Sequence, residues 1–215
     1  MARSWQLTLL VGALLLLTGA TAIWHLTLGL RAFTEESARR IEVRENPREL
    51  PRVSLEDSHG APLILSEPTT DRRVAIVMFM YARCTTLCAI TTAQYRVMQS
   101  RILEAGLQDH VRLITVSFDP ARDTREVLAE TAQRVGAEPG SWRFARPLQE
   151  HTLAPLLERF GIHVLPLADG EFEHNAAFHV LDAQGRLARI VPVDKPDWAL
   201  WEAARLALGD TVAGP

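Results

Sequence analysis

Cysteine is scarce in this chain: two occur in 215 residues. A disulfide-dense scaffold is thereby excluded, and at most one intramolecular bridge can form. Aromatic residues are also few, at 7%, and too scattered to make a platform for stacking bases. Neither sign of charge dominates. The formal net charge is -3 and the pI near 6.2, so nothing draws the chain toward nucleic acid or anionic lipid in general, and no nucleic-acid partner is expected. Internal repeats are missing too. Hydrophobic residues at 47% and charged residues at 23% make an ordinary globular mixture, which excludes a disordered or collagen-like chain. The length favours one domain of about 150–200 residues.

Charge is lacking altogether from Ser4 to Leu30. A bilayer core needs roughly 20 apolar residues in a helix. Leu7–Leu17 is almost wholly aliphatic, and Trp5 and Trp24 stand near the ends of the run, where interfacial indoles are found. Two readings compete. A cleaved signal peptide has a shorter apolar region followed by small residues, and Ala20-Thr21-Ala22 resembles its cleavage site. Apolar character then resumes with Ile23, Trp24, Leu26, Leu28 and Leu30, which suits an uncleaved transmembrane anchor. Arg3 precedes the run and Arg31, Arg39 and Arg40 follow it, a weak signal for orientation. By analogy with N-terminal anchors, the soluble domain is expected on the extracytoplasmic (periplasmic) side. Residues 1–30 are thus read as the anchor or signal peptide. Residues 31–52, rich in Arg and Glu, are read as a tether with a short helical portion, and residues 53–215 as the globular domain.

Segments on either side of Asp57-Ser58-His59-Gly60 suggest a β-hairpin. Val74–Met80 (VAIVMFM) is a continuous apolar run, the pattern of a strand buried on both faces. The cysteines follow directly. Thr85–Leu103 reads as a helix with Ala89, Ala93, Val97 and Leu103 inward. A second buried strand spans Val111–Val116. Helices are expected over Thr124–Val135, Leu148–Phe160 and Pro196–Leu208, with a short strand at Trp142–Phe144 and a hairpin joining Ala177–Leu181 to Leu187–Val193. This alternation predicts an α/β domain, with a mixed central sheet covered by helices on both faces. A β-α-β unit with cysteines at its strand-to-helix turn is the thioredoxin-type arrangement.

The cysteines stand in Tyr81-Ala82-Arg83-Cys84-Thr85-Thr86-Leu87-Cys88, a C-x3-C spacing. Sites on open α/β sheets gather at the carboxyl ends of strands, and a helix N-terminus favours a thiolate. Residues four apart on a helix have Cβ atoms about 5–6 Å apart, whereas a disulfide wants about 3.5–4.5 Å. A bridge therefore requires Cys84 to lie in the loop. Two thiolates converging on one metal tolerate a wider gap, and soft sulfur selects Cu(I) and, to a lesser extent, Zn. The spacing leans toward metal while allowing reversible oxidation. The bland alternative is two cysteines that merely pack in a core.

Two thiolates leave copper short of a ligand, and imidazole is the usual supplement. Of seven histidines, at 25, 59, 110, 151, 163, 174 and 179, His179 falls inside a strand and reads as packed or surface. His174 stands in the polar stretch Glu173-His174-Asn175, read as a loop passing near the cysteine turn in a thioredoxin-like fold.

The chain resembles the Sco (SenC/PrrC) family, membrane-anchored thioredoxin-fold proteins that help assemble the copper centre of cytochrome c oxidase. The matching segments run in order through residues 53–193: the hairpin Leu55–Gly60, the strand and site Met78–Cys88, Val116–Thr124 with its Asp-Pro-x-x-Asp-Thr pattern, and His174 followed by Asp182–Arg186. The resemblance implies copper, Cu(I) or Cu(II), held by Cys84, Cys88 and His174, with Asp119 in support. It also departs from the family, with Thr85 after the first cysteine and Ala89 after the second where proline is usual. What it implies is a metallochaperone rather than a turnover enzyme. Copper would come from a donor protein and pass to the copper-bearing subunit of cytochrome c oxidase or another acceptor. The alternative is a membrane-anchored thiol–disulfide oxidoreductase that reduces the acceptor's cysteines. It needs Cys84 and Cys88 as redox groups but not His174. A peroxidase of the related thioredoxin-fold group fits poorly, because a second cysteine follows four residues on.

Overall fold

The computed structural model describes residues 2–66, 72–84, 87–209 and 214, apart from the side chains of residues 2–4 and 87–89. The chain divides into two compact units, Met1–Glu45 and Asn46–Pro215. In the first, helix α1 spans Ala2–Leu26 and helix α2 spans Glu35–Glu45. Within α1, Trp5–Leu26 has a mean hydropathy of 2.0 and nothing buried, and among the described residues it alone is long and apolar enough to cross a bilayer. Its threonine hydroxyls are already satisfied: Thr18 donates to the Leu14 carbonyl at 2.9 Å and Thr21 to that of Leu17 at 2.7 Å. Hydrocarbon demands such internal partners. The helix expected within the tether is α2. Its start is fixed by Thr34 and Ser37, each hydroxyl accepting from the other's backbone N–H at 3.1 Å.

The second unit contains strands β1 (Ser54–Asp57), β2 (Pro62–Ile64), β3 (Val74–Met80), β4 (Val111–Ser117), β5 (Trp142–Pro147), β6 (Val164–Pro166), β7 (Phe172–His174), β8 (Ala177–Leu181) and β9 (Leu187–Pro192). Helices α3 (Leu87–Glu104), α4 (Arg125–Val135), α5 (Leu153–Phe160) and α6 (Pro196–Leu208) lie between and after them. Seven strands form one mixed sheet in the order β2-β1-β5-β4-β3-β8-β9, and β6 and β7 make a separate hairpin. Parallel pairing joins β3 to β4 and β4 to β5, and the outer strands pair antiparallel. The unit begins at Asn46, ahead of β1, and Arg48 exchanges both backbone hydrogen bonds with Leu187 at 2.9 Å.

Every residue of β3 is buried. Side chains on a strand alternate between faces, and β3 uses both. Val74, Ile76, Met78 and Met80 pack with Tyr95, Met98 and Ile102 of α3, Leu128 of α4 and Ala199 and Ala203 of α6. Phe79 points the other way, its ring 4.9 Å from that of Phe160 on α5. Helices therefore cover both faces, as the alternation predicts.

The hairpin expected at Asp57–Gly60 forms. Asp57 Oδ1 accepts from the N–H groups of His59 at 3.0 Å and Ala61 at 2.8 Å, and Gly60 adopts a φ of 81° that a side chain would strain. Burial opposes ionisation of Asp57, but those N–H groups and the Arg143 guanidinium outweigh it and hold the carboxyl below its ordinary value.

Two expectations need correction. The inner face of α3 carries Thr91, Tyr95, Met98 and Ile102, whereas Ala93, Val97 and Leu103 are exposed. Apolar residues on both sides of this helix blur its period, and the larger side chains take the core. Ala89 lies outside the described side chains. The helix expected over Leu148–Phe160 starts late, after a single 3-10 turn at Glu150–Thr152. Leu148 is held extended because its N–H donates to the Ser54 carbonyl at 3.0 Å, continuing the β1–β5 pairing.

Trp142 ties the helix-covered core together. It is buried, stacks near Tyr95 at 5.4 Å and donates from Nε1 to Thr115 Oγ1 at 2.9 Å. The Trp142→Ala variant is expected to lose about 3–5 kcal/mol of stability, read as a lower urea midpoint with an unchanged slope. A loss below about 1 kcal/mol would show that this packing matters little.

Candidate metal centre

The site is built where β3 and β4 end. Phe118 N–H donates to the Met80 carbonyl at 3.0 Å, locking the two strand ends together. The chain leaves β3 through a tight turn, with Cys84 N–H donating to the Tyr81 carbonyl at 3.2 Å. Cys84 thus stands in the loop before α3, half-buried, its side chain against the helix-covered core. Loop placement of Cys84 is the condition under which both metal binding and disulfide chemistry are open to a C-x3-C pair. Cys88 belongs to the first turn of α3; its side chain lies outside the description, as do Thr85 and Thr86.

Asp123 holds this loop. Its Oδ2 accepts from the Ala82 N–H at 2.9 Å and from Ser117 Oγ at 2.5 Å. It is 1% exposed, and burial raises its pKa above the ordinary carboxylate value. Asp123 and Thr124 are both residue types that can cap the start of α4. Thr124 caps the helix, accepting from the Val127 N–H at 3.4 Å, which frees Asp123 for the cysteine loop. Nothing in the local pattern distinguishes the two, since the decisive partner is 41 positions away in sequence.

His174 is not in a loop. It closes β7, paired with Val164 of β6, because Phe172-Glu173-His174 finds an antiparallel partner in Val164–Pro166. Its ring packs against Phe118, centroid to centroid 4.9 Å, with Tyr81 at 6.2 Å. His174 Nδ1 lies 3.0 Å from the Asn175 carbonyl oxygen. A carbonyl only accepts, so Nδ1 carries the proton and Nε2 presents its lone pair. That Nε2 is shielded from solvent and has no hydrogen-bond partner among the described residues. Asn175, which the sequence does not single out, holds the foot of the hairpin. Its Oδ1 accepts from the His163 N–H at 2.7 Å and its Nδ2 donates to the Gly161 carbonyl at 2.8 Å.

The hairpin is also tied to the cysteine loop. Tyr81 donates from its hydroxyl to Glu171 Oε2 at 2.7 Å, and Arg83 pairs with Glu171 at 3.6 Å. Burial and the Glu171 carboxylate both raise the Tyr81 phenol, so it stays a donor. Asp119 is buried and engaged by Arg122. Arg122 in turn donates to the Gly170 carbonyl at 2.7 Å and lies 4.9 Å from the Phe172 ring centre. Asp119 therefore touches the His174 hairpin through Arg122 rather than directly. His179, fully buried beside Phe79 and Phe160, has Nε2 3.1 Å from the Phe160 carbonyl and reads as packed. Among the described residues no three His, Cys, Asp or Glu side chains converge as a metal site, a census that Cys88 does not enter.

A mixed sheet with cysteines at a strand-to-helix turn defines a thioredoxin-like α/β domain. A profile of the SCO1/SenC family matches residues 44–207, and the chain belongs to that family. No curated protein matches the chain. Among solved structures, a SCO1/SenC family lipoprotein from Bacillus anthracis is 20% identical, with a TM-score of 0.65 over 75% of this chain and 96% of that one. Bradyrhizobium japonicum ScoI with copper bound is 18% identical, TM-score 0.60, covering 73% and 98%. BsSco, described with a disulfide switch and as a member of the Sco family of cytochrome c oxidase assembly proteins, is 17% identical, TM-score 0.63, covering 75% and 95%.

The raised pKa of Asp123 has a signed consequence. The folded chain holds this proton more tightly than the unfolded one. The group's contribution to stability is therefore full below the ordinary value of 3.8 and is lost as pH rises through the folded-state value. Asp123→Asn keeps an oxygen for the Ala82 N–H and removes the titration. Urea unfolding from about pH 4 to about pH 7 is expected to show wild type losing ground to the variant as pH rises. A gap independent of pH would contradict the buried-carboxyl account.

Proposed function

We propose that this protein is a copper metallochaperone that binds copper through the Cys84 and Cys88 thiolates and the His174 imidazole. It would deliver the ion to the copper centre of cytochrome c oxidase. One observation carries the reading: the solvent-shielded Nε2 of His174, without a partner among the described residues, on a ring oriented by the Asn175 carbonyl. Metal-bound histidines are held in this way, with the second nitrogen donating to a carbonyl or carboxylate. Two sulfurs and one imidazole form a soft donor set suited to Cu(I). Family membership and the copper-bound Bradyrhizobium japonicum relative support the choice of metal, and the description of BsSco supports the oxidase as destination. Copper is cargo, passing by ligand exchange from a donor protein and on to the acceptor. Asp119 would assist at one remove, by orienting Arg122 against the His174 hairpin. Residues 1–30 would serve as the anchor and the segment that follows, up to the start of the domain unit at Asn46, as the tether, with the domain on the extracytoplasmic side of the membrane.

A second reading rests on the placement of Cys84 in a loop directly before a helix start. There a thiolate is favoured and thiol–disulfide exchange with an acceptor is open. It does not use His174, and that difference separates the two.

The test is a Cu(I) titration of the reduced full-length chain in detergent against a competing chelator. One-to-one binding is expected, weakened by about a hundredfold or more in His174→Ala, beyond the 10–100-fold typical of groups behind a ligand. Equal affinity in wild type and variant would overturn the three-ligand site.

A further inference from the structure

On the face of the sheet covered by α3, α4 and α6, opposite the face where His174 packs, a cleft of about 280 Å3 opens between α3 and α4. Cys84 lines it, and Met80 and Val135 give it an apolar floor. Two guanidinium groups stand at its rim, Arg96 on α3 and Arg134 on α4. Arg96 is exposed and has no hydrogen-bond or ion-pair partner among the described residues. Arg134 pairs with Glu130 at 3.1 Å, but both side chains are mostly exposed, so the pair is weak. Thr92 also lines the cleft. It is 9% exposed, yet its hydroxyl has no partner among the described residues. The hydroxyl is therefore available to a molecule that enters the cleft.

These groups describe a ligand. A sulfur is met at one end, a hydrogen-bonding group at Thr92, and carboxylate at the arginine rim. The volume suits a molecule of a few residues, at the small end of ligand sites. We propose that the cleft is a seat for a carboxylate-bearing low-molecular-weight thiol of the cysteinyl-peptide class, which reaches Cys84 as its disulfide. The Cys84 thiolate attacks one sulfur of the small disulfide. A Cys84–sulfur bond forms, the disulfide bond of the small molecule breaks, and its other half leaves as a thiolate that takes a proton from water. Cys84 is oxidised and the leaving half is reduced, so the small disulfide is itself the oxidant. The arginines raise the local concentration of the anionic molecule without touching the reacting atoms. This inference uses neither copper nor His174; it shares Cys84 with the metal reading and extends the thiol–disulfide reading to a small-molecule partner.

The experiment uses the reduced full-length chain carrying Cys88→Ser, so that no second thiol resolves the adduct. Mixed-disulfide formation is followed by intact mass with oxidised glutathione, which is anionic, and with hydroxyethyl disulfide, which is neutral. Adding Arg96→Ala and Arg134→Ala is expected to slow the glutathione reaction about five- to tenfold and to leave the neutral reagent within about twofold, the scale of two exposed charge contacts. Both arginines are at the surface, so the fold is not at stake. Raising salt to about 1 M should erase the same preference. Equal slowing of both reagents would show only a change in Cys84 reactivity, and no slowing of either would leave the cleft without a role. Either result overturns the proposal.

Discussion

Burial of β3 on both faces is the constraint from which the rest of the domain follows. Val74–Met80 sends no side chain to solvent, so each face must be covered and each residue has an assigned side. Met80 goes to the helix side and lines the cleft with Cys84. Tyr81, one step on, joins Phe118, Phe172 and His174 on the other. The cysteine turn therefore straddles the sheet edge-on, where both faces become accessible. Sites gather at the carboxyl ends of parallel strands for this reason. The backbone there runs out of partners, and side chains from both layers can reach one point.

Loose strand ends must be held, and here polar side chains do it. Adjacent residues of one turn act in opposite directions: Asp123 reaches back to the cysteine loop, and Arg122 reaches across to the hairpin bearing His174. Tyr81 and Glu171 close the circuit between them. Of the 23 basic residues only Lys195 is not arginine. A planar guanidinium with several fixed donors serves two acceptors at once, as Arg122 does with Asp119 and Gly170, and stacks on a ring as well. Lysine, a single point charge on a flexible stem, would not tie two loops together in the same way.

Much of this was legible in the sequence, for physical reasons. VAIVMFM reads as a strand because only a doubly buried strand tolerates seven apolar residues with no polar face, and β3 has the bounds of that run. Pro196–Leu208 is likewise a helix from its proline to its last leucine. The inner face of α3 was not legible, because threonines and a glutamine share it with Tyr95 and Met98 while Ile90 and Val97 face outward. At the site, the cysteine turn was visible from spacing and position. The strand carrying His174 was not, since a three-residue strand in a polar setting exists only through its pairing with Val164–Pro166. Asp123 and Asn175 were missed for a similar reason. Their partners are remote backbone groups, which leave no periodic trace.

The isolation of His174 Nε2 also constrains what the site can do. Phe118, Phe172 and Tyr81 build an aromatic wall beside the ring, and a buried acceptor without a donor costs about 1–3 kcal/mol. The fold could have relieved that cost by turning the ring, yet the Asn175 carbonyl fixes its orientation. In the proposed copper site an incoming soft cation would gain a preoriented nitrogen, while Cys84 sits on the turn pinned by Asp123. The nitrogen and the sulfur are thus carried on separate segments, joined by Tyr81–Glu171 and Arg83–Glu171 contacts that are partly open to water. The exposed Arg83–Glu171 pair is weak, whereas the hydrogen bond from the buried Tyr81 hydroxyl to the carboxylate is strong. The donors of the proposed site are thus kept in register mainly by one charge-assisted hydrogen bond between the cysteine turn and the hairpin.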